Sequence, residues 1–139
     1  MEKEKKKYSA LRVLLISQDK IASRHMERIL GRLGIHCTVM TEESKIMEDL
    51  QKVCADGSSY DICFVNWQVP DGFGRRMTEV IRQKFERDVL KIVAFSYNTA
   101  DQEYGMLEAG VDYVLKKPVL QAQVYEVVSE ICSHAKTNA

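Results

Sequence analysis

Asn66 closes the apolar run Ile62-Cys63-Phe64-Val65 and opens a loop, WQVPDGFG, that holds a proline and two glycines. A short apolar run ending in one polar residue before a Gly/Pro loop reads as a buried strand that presents a side chain to a site. Three other places share this grammar: Ser17-Gln18-Asp19 after Leu11–Ile16, Ser96 after Val89–Phe95, and Lys116-Lys117-Pro118 after Val111–Leu115. At the centre of this set an amide has no reactivity to offer. Its nitrogen lone pair is delocalised and the group is neutral at pH 7, so it neither attacks phosphorus nor acts as a base. What it can do is hydrogen-bond. Asn66 is expected to accept from Lys117 and to donate to Asp19 or Ser96, with Lys117 and Asp19 as an ion pair.

Such a site needs several strands whose carboxyl ends converge, and the sequence supplies them. Short apolar runs alternate with segments whose apolar residues recur at helical spacing, such as Ile21, Met26, Ile29, Leu30 and Leu33, closed by Gly34. The alternation repeats as strand then helix five times, which predicts a parallel sheet with helices on both faces. Residues 1–9, MEKEKKKYS, lack an apolar stripe and read as a charged linker; residues 10–134 form the expected domain and 135–139 a tail.

The 139 residues carry 20 basic and 20 acidic side chains, so the formal net charge is zero. No global field favours nucleic acid or an anionic lipid surface. The longest apolar runs fall far below the roughly 20 residues needed to span a bilayer. The four cysteines, Cys37, Cys54, Cys63 and Cys132, form no C-x-x-C pair and no metal spacing with histidine; they read as small core residues of a reducing cytosol.

The segments LLISQDK, YDICFVNWQVPDGFG, IVAFS and AGVDYVLKKP together resemble the receiver domain of two-component response regulators and hybrid histidine kinases, over roughly residues 11–133. The resemblance implies a doubly wound, flavodoxin-like α/β fold with five parallel strands in the order 2-1-3-4-5. It implies that the first strand ends in an acidic pair, the third in the phospho-accepting aspartate, the fourth in Ser or Thr and the fifth in Lys-Pro with a cis bond. This chain departs from that pattern. Asn66 stands at the acceptor position. Gln18 replaces one member of the acidic pair, with Asp19 read as the other, and Val114 takes the place of the aromatic that rotates on activation. Ser96, Lys117 and Pro118 are retained, so the chain resembles a degenerate, or pseudo-, receiver. In the family Mg²⁺ is held by three carboxylates. Each lost charge removes on the order of 3–4 kcal/mol at an effective dielectric near 20, so Mg²⁺ binding is expected to be weak or absent and no other metal or cofactor is expected.

The resulting expectation is a non-enzymatic, cytoplasmic signalling module that works by protein–protein contact or by regulating a linked kinase. The charged start suggests a piece of a longer protein, such as the cytoplasmic part of a membrane-bound sensor kinase. The partner would be a sensor kinase or another receiver-like domain, with no nucleic acid and no direct membrane contact. Tyr104, Tyr113 and Tyr125 mark the face of the fourth helix, fifth strand and fifth helix as a candidate homodimer or partner surface; the first helix is not expected to take part. Trp67 either shields the old acceptor or anchors a partner. Two alternatives stay open: a true phosphorelay receiver using a substitute acid, Asp71 or Asp101, and a small-ligand binder using the degenerate site. His25, His36 and His134 read as surface or boundary residues. The loop PDGFG lacks the spacing of a phosphate-binding glycine loop.

Overall fold

The computed structural model describes residues 8–67, 72–97 and 99–137, the last four of these by backbone alone. Five strands alternate with five helices: β1 (Val13–Ile16), α1 (Lys20–Arg32), β2 (Cys37–Met40), α2 (Glu43–Ala55), β3 (Ile62–Asn66), α3 (Phe73–Lys84), β4 (Lys91–Ser96), α4 (Thr99–Ala109), β5 (Tyr113–Lys116) and α5 (Gln121–Thr137). All strand pairs are parallel, and the order is β2-β1-β3-β4-β5. This is the doubly wound, flavodoxin-like architecture expected from the sequence.

Side chains of successive strand residues point to opposite faces of a sheet. Val13, Leu15, Ile62, Phe64, Val93 and Phe95 therefore face one core, shared with α1 and α5. Leu14, Ile16, Cys63, Val65, Ile92 and Ala94 face the other, shared with α2, α3 and α4. The inner strands β1 and β3 are buried on both sides, which is why they read as unbroken apolar runs. The edge strand β2 is only partly buried.

Two boundaries differ from the sequence reading. Tyr8 falls in the charged start, yet it is only 1% exposed and belongs to the α1/α5 core. Its ring meets that of Tyr125 edge-on at 6.5 Å between centroids, and its hydroxyl lies 2.9 Å from Ser129 Oγ. The packed chain thus begins before residue 10. At the other end α5 runs to Thr137, into the expected tail, because no Gly or Pro interrupts it.

At the amino ends of β4 and β5, opposite the carboxyl ends where the site lies, Arg82 acts as a clasp. Its guanidinium donates to the carbonyls of Gly110, Phe85 and Leu90 and to Asp112 Oδ2 at 2.6 Å. Asp112 also accepts from Ile92 N and Arg87. Gly110 has φ 116° and a Cβ there would stand 2.9 Å from Arg82 Cγ, so the clasp closes only over a glycine.

Candidate functional site

Strand alternation decides what meets Asn66. Ser17 follows Ile16 by one residue and so returns to the side of Leu15; Asn66 shares the side of Phe64. Both are buried. Asn66 Nδ2 donates to Ser17 Oγ at 3.1 Å, and Lys117 Nζ donates to Asn66 Oδ1 at 2.8 Å. The amide is thus held at both ends by the residues that follow β1 and β5. The Lys117 backbone N–H donates to Ser96 O at 2.8 Å, and the Lys117–Pro118 bond is cis.

The Lys117 ammonium also lies 5.4 Å from the Phe95 ring centroid and 5.0 Å from that of Tyr97, close enough for a cation–π attraction. Burial lowers its pKa from the usual lysine value, partly opposed by the negative charge of Asp19.

Asp19 is not paired with Lys117, contrary to expectation. Its side chain is the N-cap of α1, accepting from Ile21 N at 2.9 Å and Ala22 N at 3.3 Å. That cap satisfies backbone donors that would otherwise have no partner. Ser17, not Asp19, is the side chain of this segment that touches Asn66. Counting alternation onward from Leu15 is the signal that would have found it. Gln18 points away as well, donating from Nε2 to Thr41 O at 3.4 Å.

Nor does Asn66 donate to Ser96. Ser96 follows Ile92 and Ala94 onto the α4 side of the sheet, where its Oγ lies 2.5 Å from Gln102 Oε1. Val114 is on that side too, opposite Ala94 in the β4–β5 register and packed against the second core. The retained serine and the Val114 position therefore form a pair separate from the Ser17–Asn66–Lys117 chain. Gln102 was not foreseen, since a lone glutamine near the start of a helix carries no periodic signal.

Trp67 is half-buried against the second core. A Cβ on Gly74 would stand 2.9 Å from Trp67 Cα and 3.0 Å from Asn66 O. A glycine there lets the first turn of α3 lie directly on the end of β3. Asp71 lies outside the described residues. Asp101 is exposed in the first turn of α4. Of the three tyrosines read as an interface, only Tyr104 is open, at 80% exposure. Tyr113 and Tyr125 are half-buried against the α1/α5 core, since both point to that side. Beside Lys117 runs an open groove of about 260 Å³ lined by Asp19, Ile21, His25, Met26, Tyr97 and Pro118 among others. His25 Nε2 lies 2.7 Å from Val119 O at its edge.

The side chains bonded to Asn66 are the Ser17 hydroxyl and the Lys117 ammonium, whereas Mg²⁺ is a hard cation that takes carboxylate and water oxygens. Among the described residues no cluster of three or more His, Cys, Asp or Glu could hold a metal, and no helix is long and apolar enough to cross a membrane.

The family model of the response regulator receiver domain matches residues 13–129. Two-component response regulator ARR22 of Arabidopsis thaliana is 25% identical over 129 residues, covering 90% of this chain and 86% of that protein. Hybrid signal transduction histidine kinase L of Dictyostelium discoideum is 23% identical over 123 residues, which is 86% of this chain and 7% of that protein. The osmosensing histidine protein kinase SLN1 of Saccharomyces cerevisiae is matched over 11% of its length, so the chain spans a small part of both kinases. Among solved structures, a two-component response regulator from Clostridium difficile superposes with a TM-score of 0.70 at 25% identity, over 88% of this chain and 96% of that one. A CheY-like receiver domain from Methanospirillum hungatei JF-1 gives 0.72 at 18% identity, over 93% and 98%, a likeness of fold.

Proposed function

The chain belongs to the response regulator receiver domain family, and from that premise we propose that it is a receiver which acts by binding proteins and takes up no phosphoryl group. The observation that carries this reading is the buried amide of Asn66 at the end of β3, tied to Ser17 on one side and Lys117 on the other. The amide lacks the charge and the lone pair that a carboxylate brings to phosphorus. Lys117, the cation retained from the family pattern, is used up in holding it. Two further features support the reading: the donors near Asn66 do not suit Mg²⁺, and Val114 offers nothing large to follow a movement of Ser96.

On this reading the module is not an enzyme. It holds one conformation and offers it to a sensor kinase or another receiver-like domain in the cytoplasm, including the cytoplasmic part of a membrane-bound kinase. It makes no direct contact with nucleic acid or membrane. The small-ligand alternative loses support because Lys117 fills the space at Asn66; the groove lies beside it.

The test is incubation of the chain with an acyl phosphate and Mg²⁺, followed by intact-mass analysis. The expected result is no added phosphoryl group on the wild type. A phosphorylated wild type, with the modification mapped to Asp71 or Asp101, overturns the proposal in favour of a substitute acid.

A further inference from the structure

Helix α1 carries Lys20, Arg24, Arg28 and Arg32, each four residues after the last. At 3.6 residues per turn that spacing drifts only about 40° per step, so the four share one side. All four are exposed, while Met26, Ile29 and Leu30 on the opposite side are buried. Among the described residues none of the four is in an ion pair. Arg32 alone has a polar contact, from Nη1 to Gln121 Oε1 at 3.4 Å. The acidic neighbours on this helix are Glu27, which faces Cys37 on β2, and Asp19, which is occupied as the cap. On the flank away from Glu27 lies the groove beside Lys117, with Ile21 83% and Tyr97 57% exposed at its rim.

Helix α4 has the inverse character. It contains Asp101, Glu103 and Glu108 and no basic residue. Tyr104 and Leu107, 80% and 48% exposed, stand on its outer side. Among the described residues its three carboxylates form no ion pair. Beside α4 stands Arg75, whose Nη1 lies 3.3 Å from where a Gly105 Cβ would be and whose Nε already pairs with Glu79.

We propose that copies of this chain associate head to tail, the α4 of one seated on the α1 of the next. Asp101 and Glu108 meet the basic ridge while Tyr104 and Leu107 enter the groove rimmed by Ile21 and Tyr97. The spacings agree. Seven residues of helix place Asp101 and Glu108 about 10 Å apart along the axis, against about 12 Å for Lys20 to Arg28 or Arg24 to Arg32. The helices α1 and α4 lie on opposite faces of the sheet, so one molecule cannot satisfy its own pair, and the contact joins unlike surfaces of two copies.

Other occupants match less well. A nucleic acid has no apolar side chains for the groove, and a net charge of zero does not concentrate a polyanion. A bilayer needs an apolar helix face turned outward, and the apolar face of α1 is in the core. The inference names the partner left open above. It does not need Asn66 to be inert, and phosphoryl uptake is read in a separate assay.

Sedimentation equilibrium of the wild-type chain at low salt tests it, with two variants blocked at one surface each: Arg24→Ala/Arg28→Ala and Tyr104→Ala/Leu107→Ala. All four positions are exposed on helices, and alanine is the best helix former, so both variants are expected to fold, with circular dichroism as the check. Wild-type mass is expected to rise past that of a dimer with concentration, and to fall when salt is raised. Each variant alone should associate at least about tenfold more weakly. Mixed one to one, they should form a heterodimer and nothing larger, because each keeps the surface the other lacks. A wild type that stays monomeric at millimolar concentration overturns the proposal. So does a dimer that saturates at two and survives Arg24→Ala/Arg28→Ala, which marks a symmetric α4 contact. A mixture without heterodimer does the same, as does tighter binding of the ridge to duplex DNA or to phosphatidylserine vesicles.

Discussion

Lys117 places its ammonium 2.8 Å from Asn66 Oδ1 and so joins the residue after β5 to the end of β3, across the intervening strand. Lys117→Met keeps the apolar stem but leaves a buried carbonyl oxygen without its donor. An unsatisfied buried group costs about 1–3 kcal/mol, and urea midpoints are expected to fall accordingly. The pH dependence has a definite sign. The folded pKa of Lys117 is lowered below its unfolded value near 10.5, so between the two the unfolded chain holds more protons and stability rises with pH. Lys117→Met should remove that rise. If the difference between wild type and variant is flat with pH up to 10.5, the lysine is not desolvated as described.

Asn66→Asp restores a nucleophile but is expected to give at most slow phosphorylation and no full switch. The single carboxylate leaves Ser17 and Gln18 neutral, and Val114 leaves nothing bulky to follow Ser96. A population shift needs a differential interaction between two states. Adding Ser17→Asp with Gln18→Asp should raise Mg²⁺ affinity further, whereas Asp19→Asn should leave it unchanged. Asp19→Ala should instead lose about 1 kcal/mol of stability with the cap. Phosphotransfer from an acyl phosphate and Mg²⁺ titration by Trp67 fluorescence measure these. Fast uptake by the single mutant, with altered amide exchange in α4 and β5, would show that Val114 is no barrier.

Tyr8 is expected to be a stability determinant of the whole domain. Tyr8→Ala removes a buried ring and should cost about 3–5 kcal/mol, the range for large-to-small aromatic changes in cores. Tyr8→Phe keeps the ring against Tyr125 and loses the hydroxyl bond to Ser129, about 1 kcal/mol. Chemical denaturation of the two variants separates packing from hydrogen bonding. Equal small losses would mean that the segment merely rests on α5.

Thiol alkylation should follow burial. Cys54 is exposed and is expected to label first, and Cys63, buried, last. Burial and the charge of Glu27 push the Cys37 pKa up to about 11 from its ordinary value near 9. Its labelling rate should therefore keep climbing beyond pH 9. The neutral thiol favours the folded state, so this contribution is full below pH 9 and is lost as pH rises through about 11. A Cys37 rate that levels off by pH 9 contradicts the desolvated environment.

The order of elements was legible because strands buried on both faces show as apolar runs and the helices as periodic stripes. The site was legible in outline, since Asn66, Ser96 and Lys117 each close such a run. Which of them touch was harder to read. That depends on the parity of each residue within its strand, and Asp19 drew attention by its charge while Ser17 held the place facing Asn66. Tyr8 was missed for a different reason. A single aromatic among lysines and glutamates has no periodicity, and its burial comes from a groove built by α5, far away in sequence. Tyr113 and Tyr125 show the same limit, since both are half-buried against the α1/α5 core and residue type alone does not say which side of an element faces in.

The division of the polar residues by the sheet has an evolutionary side. Ser17, Asn66 and Lys117 bond on one face, Ser96 and Gln102 on the other, and among the described residues the link between the two groups is a backbone one, from Lys117 N to Ser96 O. Side-chain replacements in one group therefore leave the partners of the other in place. Epistasis between the two groups is then small, so loss of the acceptor need not force loss of the serine. A lineage could abandon the chemistry at Asn66 while Ser96 persisted for its bond to α4. Ser96 then says nothing about whether phosphate is used, and its presence in a relative would be a poor guide to that relative's activity.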